Sequence, residues 1–163
     1  MQYDFEIRKL TKEFYEHRVK NSWNEVLQKE GRCYNCVIVD TYYDFFICIP
    51  FRSEMNHDFG YRFKTSARSR KNKSAIDYSK IVLIEKYEEY ISNKPAIVDH
   101  DEYIEFVKNS KKIISEAIKY MEDYVKFRNE DEKQHSISDL RKFKYTSLKY
   151  FDDILKKYKL IKD

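Results

Sequence analysis

The sequence predicts an α+β fold: a compact antiparallel sheet or partly open barrel with packed helices, and a helical C-terminal part. Apolar and polar side chains alternate over residues 3–7, as in a half-buried strand. Two apolar runs, 33–39 and 45–49, have the length of buried strands, whereas residues 101–128 carry apolar side chains three, four and seven apart, as in an amphipathic helix. At 163 residues, the chain is expected to form a single domain over its whole length.

Two short helices are predicted after the first strand. Thr11 is suited to cap the first of them. Ser22 and Glu25 have the spacing of a capping box, so we expect the second helix to begin at Ser22 and to end at Gly31.

The two apolar runs are expected to pair as a hairpin, Cys33–Val39 with Phe45–Ile49, joined by a turn over residues 40–44. Both runs are almost continuously apolar, which is typical of central strands that are buried on both faces. Two further strands and a loop are predicted in this half, at residues 59–64, 80–84 and 93–95 respectively.

The second half is predicted to be helical. Its long helix should pack against the sheet rather than form a coiled coil, because Lys111 interrupts the apolar stripe. The stripe consists of Ile104, Val107, Ile114, Ile118, Met121 and Val125. A polar loop over 129–136 and a C-terminal helix around Leu148–Leu155 should follow.

Charge is unevenly distributed along the chain. The net charge is only +4, but residues 62–73, called here the basic segment, carry six cations and no acid. These are Arg62, Lys64, Arg68, Arg70, Lys71 and Lys73. Because a local positive field attracts polyanions, the basic segment is predicted to be the main RNA-contacting surface.

Three side chains suited to phosphate chemistry follow the second hairpin strand. Arg52 can bind a phosphate with two parallel hydrogen bonds, and the Ser53 hydroxyl can donate to a phosphate oxygen. His57 can take or give a proton near neutral pH. Arg32, at the start of the neighbouring strand, should lie beside Arg52, and two guanidinium groups so placed suggest an anion between them.

Neither a metal nor a cofactor is predicted. Two glycines cannot form a glycine-rich phosphate loop, and no cluster of Asp, Glu, His or Cys has metal-ligand spacing. RNA can be cleaved without a metal because its own 2′-OH is the nucleophile. The chain also lacks an apolar run near the roughly 20 residues of a membrane helix, and its first residues do not form a signal peptide, so we expect a cytoplasmic protein with no membrane partner.

Five segments of the chain resemble the toxins of type III toxin–antitoxin systems, the ToxN/AbiQ group, and among these the CptN branch most. The segments are Gly31–Tyr34, Phe45–Ser53 with His57, Tyr61–Lys64, Ile76–Val82 and Val98–Tyr103. Their order and spacing extend the resemblance over nearly the whole chain.

The resemblance implies a metal-independent endoribonuclease that leaves a 2′,3′-cyclic phosphate, on a fold related to the Kid/MazF toxins. It also implies inhibition by a small repetitive RNA, folded as a pseudoknot, which assembles with the toxin into a closed hetero-oligomer. The expected partners are this RNA antitoxin and a cellular RNA substrate. Tyr34 and Tyr61 lie in the resembling segments and are expected to bind RNA together with the basic segment.

The predicted catalytic set is Arg32, Arg52, Ser53 and His57, of which the resemblance supports Arg32 and Ser53. ToxN-like toxins place a basic residue where Arg32 stands and Thr-Ser after the second hairpin strand, so Ser53 matches while Arg52 replaces the threonine. They carry a lysine shortly after that serine, whereas residues 54–56 lead here to His57. Which residue is general acid and which is general base stays open, although His57 is expected to take one role.

Two other classes of function stay open on the sequence. A non-catalytic RNA-binding module could use the same cations, and cleavage of RNA without divalent ions would distinguish the two. A DNA-binding regulator is less well supported, because no recognition-helix pattern is present.

Overall fold

The computed structural model describes residues 3–27 and 33–163, and it confirms the predicted α+β class. Within these residues seven strands pair antiparallel in one open sheet. The strands are β1 (Phe5–Leu10), β2 (Asn35–Asp40), β3 (Phe46–Arg52), β4 (Gly60–Arg62), β5 (Ala75–Asp77), β6 (Val82–Ile84) and β7 (Ile91–Pro95). Their order across the sheet is β4-β5-β3-β2-β1-β7, with β6 also paired to β3.

The predicted hairpin is confirmed as β2 and β3. Cys36 lies opposite Pro50 and Val39 opposite Ile47, and both strands are largely buried. The second strand does not stop at the proline, as the apolar run suggested, but extends to Arg52. The extended backbone therefore leads directly into the residues that were predicted to handle phosphate.

The second edge of β3 is shared between two strands. Its first part, residues 46–48, pairs with β6, and its end, Phe51 and Arg52, pairs with β5. Between β5 and β6 the chain forms the 3₁₀ turn Tyr78–Lys80, which is capped by the Asp77 side chain. This break in strand pairing places the polar side chains of Asp77, Ser79 and Lys80 in an otherwise apolar layer.

Six helices and further 3₁₀ turns complete the described structure. The helices are α1 (Lys12–Arg18), α2 (Ala67–Asn72), α3 (Tyr87–Tyr90), α4 (His100–Asn129), α5 (Ile137–Phe143) and α6 (Asp152–Lys157). The predicted cap of α1 is confirmed, because Thr11 Oγ1 accepts from the backbone N–H of Phe14 at 3.2 Å. Residues 147–151 form a 3₁₀ turn, so the C-terminal helix begins later than its apolar pattern suggested.

Two local predictions are wrong. Residues 22–25 form turns rather than a helix, and the Trp23 ring there stacks on Tyr150 with centroids 5.0 Å apart. Tertiary packing of this kind commonly overrides a local helix signal. The predicted end of that helix, Gly31, lies outside the described residues. Residues 93–95 form the end of edge strand β7 rather than a loop, and an edge position tolerates Pro95.

The long helix is confirmed as α4, and it packs on the sheet. Phe106 contacts Phe5 and Phe51 of the sheet, with ring centroids 5.1 and 6.1 Å apart. The predicted stripe is wrong in the first turns, where Ile104 and Val107 are exposed and Phe106 is buried instead. None of the helices in the described parts of the chain is both long enough and apolar enough to span a membrane.

A buried carboxylate ties α4 to the start of the basic segment. Glu105 accepts from Tyr61 Oη at 2.7 Å and from the backbone N–H groups of Lys64 and Thr65 at 3.1 and 2.8 Å. Burial alone would raise the pKa of Glu105, but hydrogen bonds from Thr65, Tyr61 and Lys64 outweigh it and lower the pKa. The folded protein therefore stabilises the ionised form of Glu105.

Replacing Glu105 with alanine should lower the free energy of unfolding by about 3 kcal/mol, because three donors lose their acceptor in a buried place. Urea denaturation at neutral pH measures this difference. Glu122→Ala, which removes an exposed carboxylate from the same helix, is the matched control and should cost less than about 0.5 kcal/mol. Equal losses in the two variants would contradict the anchoring role.

Candidate active site

Five segments of the chain meet around a cavity of about 230 Å³. They are the turn at Glu25, the end of β3, the loop before β4, the 3₁₀ turn after β5, and the end of α5 with the residues that follow it. The lining residues are Glu25, Arg52, His57, Phe59, Ser79, Lys80, Arg141, Lys142 and Tyr145. This cavity is called here the cationic pocket, because four of its lining residues are Arg or Lys.

Asp77 has no exposed surface and contacts three residues that line the cationic pocket. Its Oδ2 accepts from Arg52 Nη1 at 2.7 Å and lies 3.1 Å from His57 Nε2. Its Oδ1 accepts from Ser79 Oγ at 2.6 Å. Burial alone would raise the pKa of Asp77, but these three partners, His57 first, outweigh it and lower the pKa.

The hydrogen bonds of His57 define its tautomer. The backbone N–H of Phe59 donates to Nδ1 at 3.0 Å, so Nδ1 carries a lone pair. The ring proton is therefore on Nε2, where it donates to Asp77, with Ser79 Oγ at 3.2 Å. His57 is thus held through Nε2 against a carboxylate, and its side chain is 30% exposed at the pocket.

Lys80 is a buried cation in the wall of the cationic pocket. Its Nζ donates to the backbone oxygen of Tyr145 at 2.8 Å and to Glu25 Oε2 at 3.3 Å. Burial lowers the pKa of Lys80, and the nearby Glu25 carboxylate only partly opposes this effect. An ammonium has three N–H groups, and acceptors among the described residues occupy two of them.

The charge of the pocket favours an anionic ligand. Glu25 is the acid among the described lining residues, against Arg52, Lys80, Arg141 and Lys142. Lys142 also pairs with Asp123, which lies outside the lining, at 2.8 Å. Arg52 is likewise paired with Asp77 and Lys80 with Glu25, so the lining cation that no ion pair among the described residues offsets is Arg141 on α5.

The structure brings together two of the four predicted catalytic residues. Arg52 and His57 are brought together by Asp77. Ser53 is exposed just beyond β3, and the hydroxyl that joins the cluster belongs to Ser79 instead. Arg32 lies outside the described residues, and so does the predicted pairing of its guanidinium with that of Arg52.

Contacts with other residues hold four of the six cations of the basic segment. Acids outside the segment oppose two of its cations, since Arg62 pairs with nearby Asp58 at 3.0 Å and Arg68 with Asp99, distant in sequence, at 2.7 Å. Other contacts hold three of its side chains: Arg62 donates to the carbonyl of His57 at 2.6 Å, Arg70 to that of Lys64 at 2.7 Å, and Lys73 to Asn56 Oδ1 at 3.2 Å. Lys64 and Lys71 are exposed.

The two predicted RNA-binding tyrosines are also constrained. Tyr61, which was predicted to bind RNA, is buried in the core, and its hydroxyl donates to Glu105. Tyr34 is half-buried, and its backbone N–H donates to Tyr15 Oη at 3.3 Å.

The sequence analysis missed Asp77, Ser79, Lys80 and Tyr145 as site residues. A signal for three of them was present, because Asp77, Ser79 and Lys80 interrupt the apolar stretch 76–84. Charged residues embedded in a buried stretch need partners, and such partners often belong to a site. Nothing in the pattern around Tyr145 distinguishes it from the other tyrosines.

In the described ranges, no group of three or more His, Cys, Asp or Glu side chains is arranged to hold a metal ion. Comparisons of the chain with protein-family models, curated proteins and solved structures find no match. The function is therefore inferred from the geometry of the cationic pocket.

Asp77→Asn should lower the free energy of unfolding by about 3 kcal/mol at pH 7, because it leaves Arg52 without its buried countercharge. The matched control is Asp58→Asn, which breaks an exposed pair with Arg62 and should cost less than about 1 kcal/mol. Chemical denaturation of both variants measures the difference.

The effect of Asp77→Asn should also depend on pH. A lowered folded-state pKa gives stability that is present above the ordinary aspartate value of about 3.9 and lost as the pH falls through the folded-state pKa. Parent and Asp77→Asn should therefore converge in stability at acid pH. A difference that stays constant over the whole range would contradict a charged Asp77.

Proposed function

We propose that this chain is the toxin of a type III toxin–antitoxin system. In this proposal it is a metal-independent endoribonuclease that cleaves RNA by 2′-OH attack, leaves a 2′,3′-cyclic phosphate, and is inhibited by a repetitive pseudoknot RNA. The observation that carries the proposal is the attachment of Arg52 and His57 to one oxygen of the buried Asp77 at the cationic pocket. A phosphate-binding group and a proton-transfer group thereby share one fixed support.

Arg52 would bind the scissile phosphate. Its bond to Asp77 uses Nη1, and a guanidinium has five N–H donors in a planar fork. Donors therefore remain for the non-bridging oxygens, and the Lys80 ammonium adds positive charge from the pocket wall. Such preorganised donors stabilise the additional negative charge of a pentacoordinate phosphate more than that of the ground state.

His57 would act as the general base. The 2′-OH gives its proton to Nδ1, the lone-pair nitrogen, in place of the Phe59 N–H that occupies it in the resting site. Asp77 then stabilises the imidazolium that forms, because its carboxylate already accepts from Nε2. The 2′-oxygen forms its bond to phosphorus in the same step.

Lys80 would act as the general acid. The bond from phosphorus to the 5′-oxygen breaks, and this oxygen takes a proton from the Lys80 ammonium. Burial lowers the pKa of Lys80, so its ammonium is a stronger acid than that of an exposed lysine. Exchange with water then returns the proton to Lys80 and removes one from His57.

The proposal is tested by incubating the pure chain with RNA in excess EDTA. New 5′-OH ends and 2′,3′-cyclic phosphates support the endoribonuclease. A non-catalytic RNA-binding module could have the same hydrogen bonds at both ring nitrogens of His57. RNA that is bound but left intact would therefore favour the non-catalytic RNA-binding module.

Arg52→Ala should lower the single-turnover cleavage rate about 10²- to 10³-fold, because it removes a donor to the transition state. Arg52→Lys should recover little of this loss, since an ammonium lacks the planar fork. Arg18→Ala is the matched control, because it removes a cation that pairs with Asp153, lies outside the basic segment and does not line the cationic pocket. Parent-like cleavage by Arg52→Lys would contradict the bidentate role.

Expression of the chain alone should arrest bacterial growth, and His57→Ala should relieve the arrest because the general base is lost. Growth curves measure the effect, and circular dichroism of the purified variant checks that relief does not come from unfolding. Arg18→Ala should remain toxic. If folded His57→Ala is as toxic as the parent, the proposed site is wrong.

A further inference from the structure

Tyr145 is an exposed aromatic residue in the wall of the cationic pocket. It lies in the short connection between α5 and the 3₁₀ turn Ser147–Phe151, and 59% of its surface is exposed. On both sides of it the chain is buried, at Phe143 and at Thr146. The ring therefore projects from a backbone that is itself fixed in the core.

The backbone of this connection is bonded to the segment that carries the site. The carbonyl oxygen of Tyr145 accepts from Lys80 Nζ at 2.8 Å. The buried Ser147 hydroxyl contacts the carbonyl oxygens of Ser79, at 3.2 Å, and Ile81. These contacts fix the backbone that carries the ring relative to Lys80 and Ser79, so little backbone entropy is lost when a ligand stacks on the ring.

The Tyr145 ring has a cation beside it and shares its pocket with others. Lys144 Nζ lies 5.2 Å from the ring centroid, and Arg141 and Lys142 line the same pocket. An aromatic face beside cations that can follow a phosphate backbone is the arrangement with which proteins bind single-stranded nucleic acid.

Another exposed tyrosine lacks this setting. Tyr42 is 94% exposed on the turn between β2 and β3. It borders a different cavity that contains Asp4, Asp40 and Glu122, an acidic surface that would repel phosphates. Exposure alone therefore does not single out Tyr145, whereas its position beside the site and its cations do.

We propose that Tyr145 is the platform on which an unpaired base of the RNA stacks, next to the phosphate held in the cationic pocket. This inference rests on the proposed function and gives it a substrate class: single-stranded RNA, with a base beside the scissile phosphate free to leave its stack. It also places a base-contacting surface at 141–145, outside the basic segment.

The test measures binding of a single-stranded RNA of mixed sequence, with 2′-O-methyl groups that prevent cleavage, in EDTA. Tyr145→Ala should weaken binding about 10-fold, because base–aromatic stacking is lost, whereas Tyr145→Phe should stay within about 2-fold of the parent because the ring remains. Tyr42→Ala is the matched control and should bind as the parent does. Thermal unfolding checks that each variant is folded.

A second arm isolates the stacking contact. With an oligonucleotide that carries abasic residues throughout, parent and Tyr145→Ala should bind equally, because no base remains to stack. A fall in affinity of the same size on both oligonucleotides would overturn the platform, and so would unchanged binding by Tyr145→Ala.

The outcomes separate this inference from the proposed function. RNA that is cleaved by the parent and cleaved and bound equally well by Tyr145→Ala overturns the platform alone. RNA that is bound through Tyr145 but is not cleaved overturns the endoribonuclease alone. A parent that neither binds nor cleaves RNA overturns both.

Discussion

The buried carboxylate of Asp77 is the interaction on which the rest of the site depends. It accepts from Arg52, His57 and Ser79, three groups that would otherwise have to find separate partners in a half-buried pocket. A charge with no exposed surface is stable only when such partners surround it. The same contacts hold the Arg52 guanidinium and the His57 imidazole close to each other. The interactions that stabilise the buried charge therefore also set the geometry of the site.

The topology explains why this carboxylate lies where it does. The edge of β3 pairs first with β6 and then with β5, and the chain between them turns at Tyr78–Lys80. Polar residues can enter the core there without breaking a continuous ladder. The C-terminal part closes over the same place, since Ser147 bonds to the turn and Lys80 bonds to the backbone beyond α5. The sheet and the second half of the chain therefore meet at the cationic pocket.

Periodicity predicted what depends on long, regular burial. The helix α4 follows an apolar stripe of helical spacing, and the hairpin of β2 and β3 follows two short apolar runs joined by a turn; both are confirmed. Local signals failed where a distant contact decides: the capping-box spacing at Ser22 gives way to the packing of Trp23. The candidate site was predicted only in part, because it too depends on contacts between residues distant in sequence. Arg52 and His57 follow a strand end, but Asp77 lies 25 and 20 positions away, and no pattern shows that a strand edge brings it back.

The single-turnover rate of RNA cleavage by Asp77→Asn, measured at a temperature where the variant is folded, tests most directly whether this cluster is a catalytic site. The substitution keeps the shape of the side chain but removes the charge that orients Arg52 and stabilises a protonated His57. We predict a rate at least about 10²-fold below that of the parent, with RNA affinity changed far less. Cleavage by folded Asp77→Asn at the parent rate would contradict the assignment and leave Asp77 with a purely structural role.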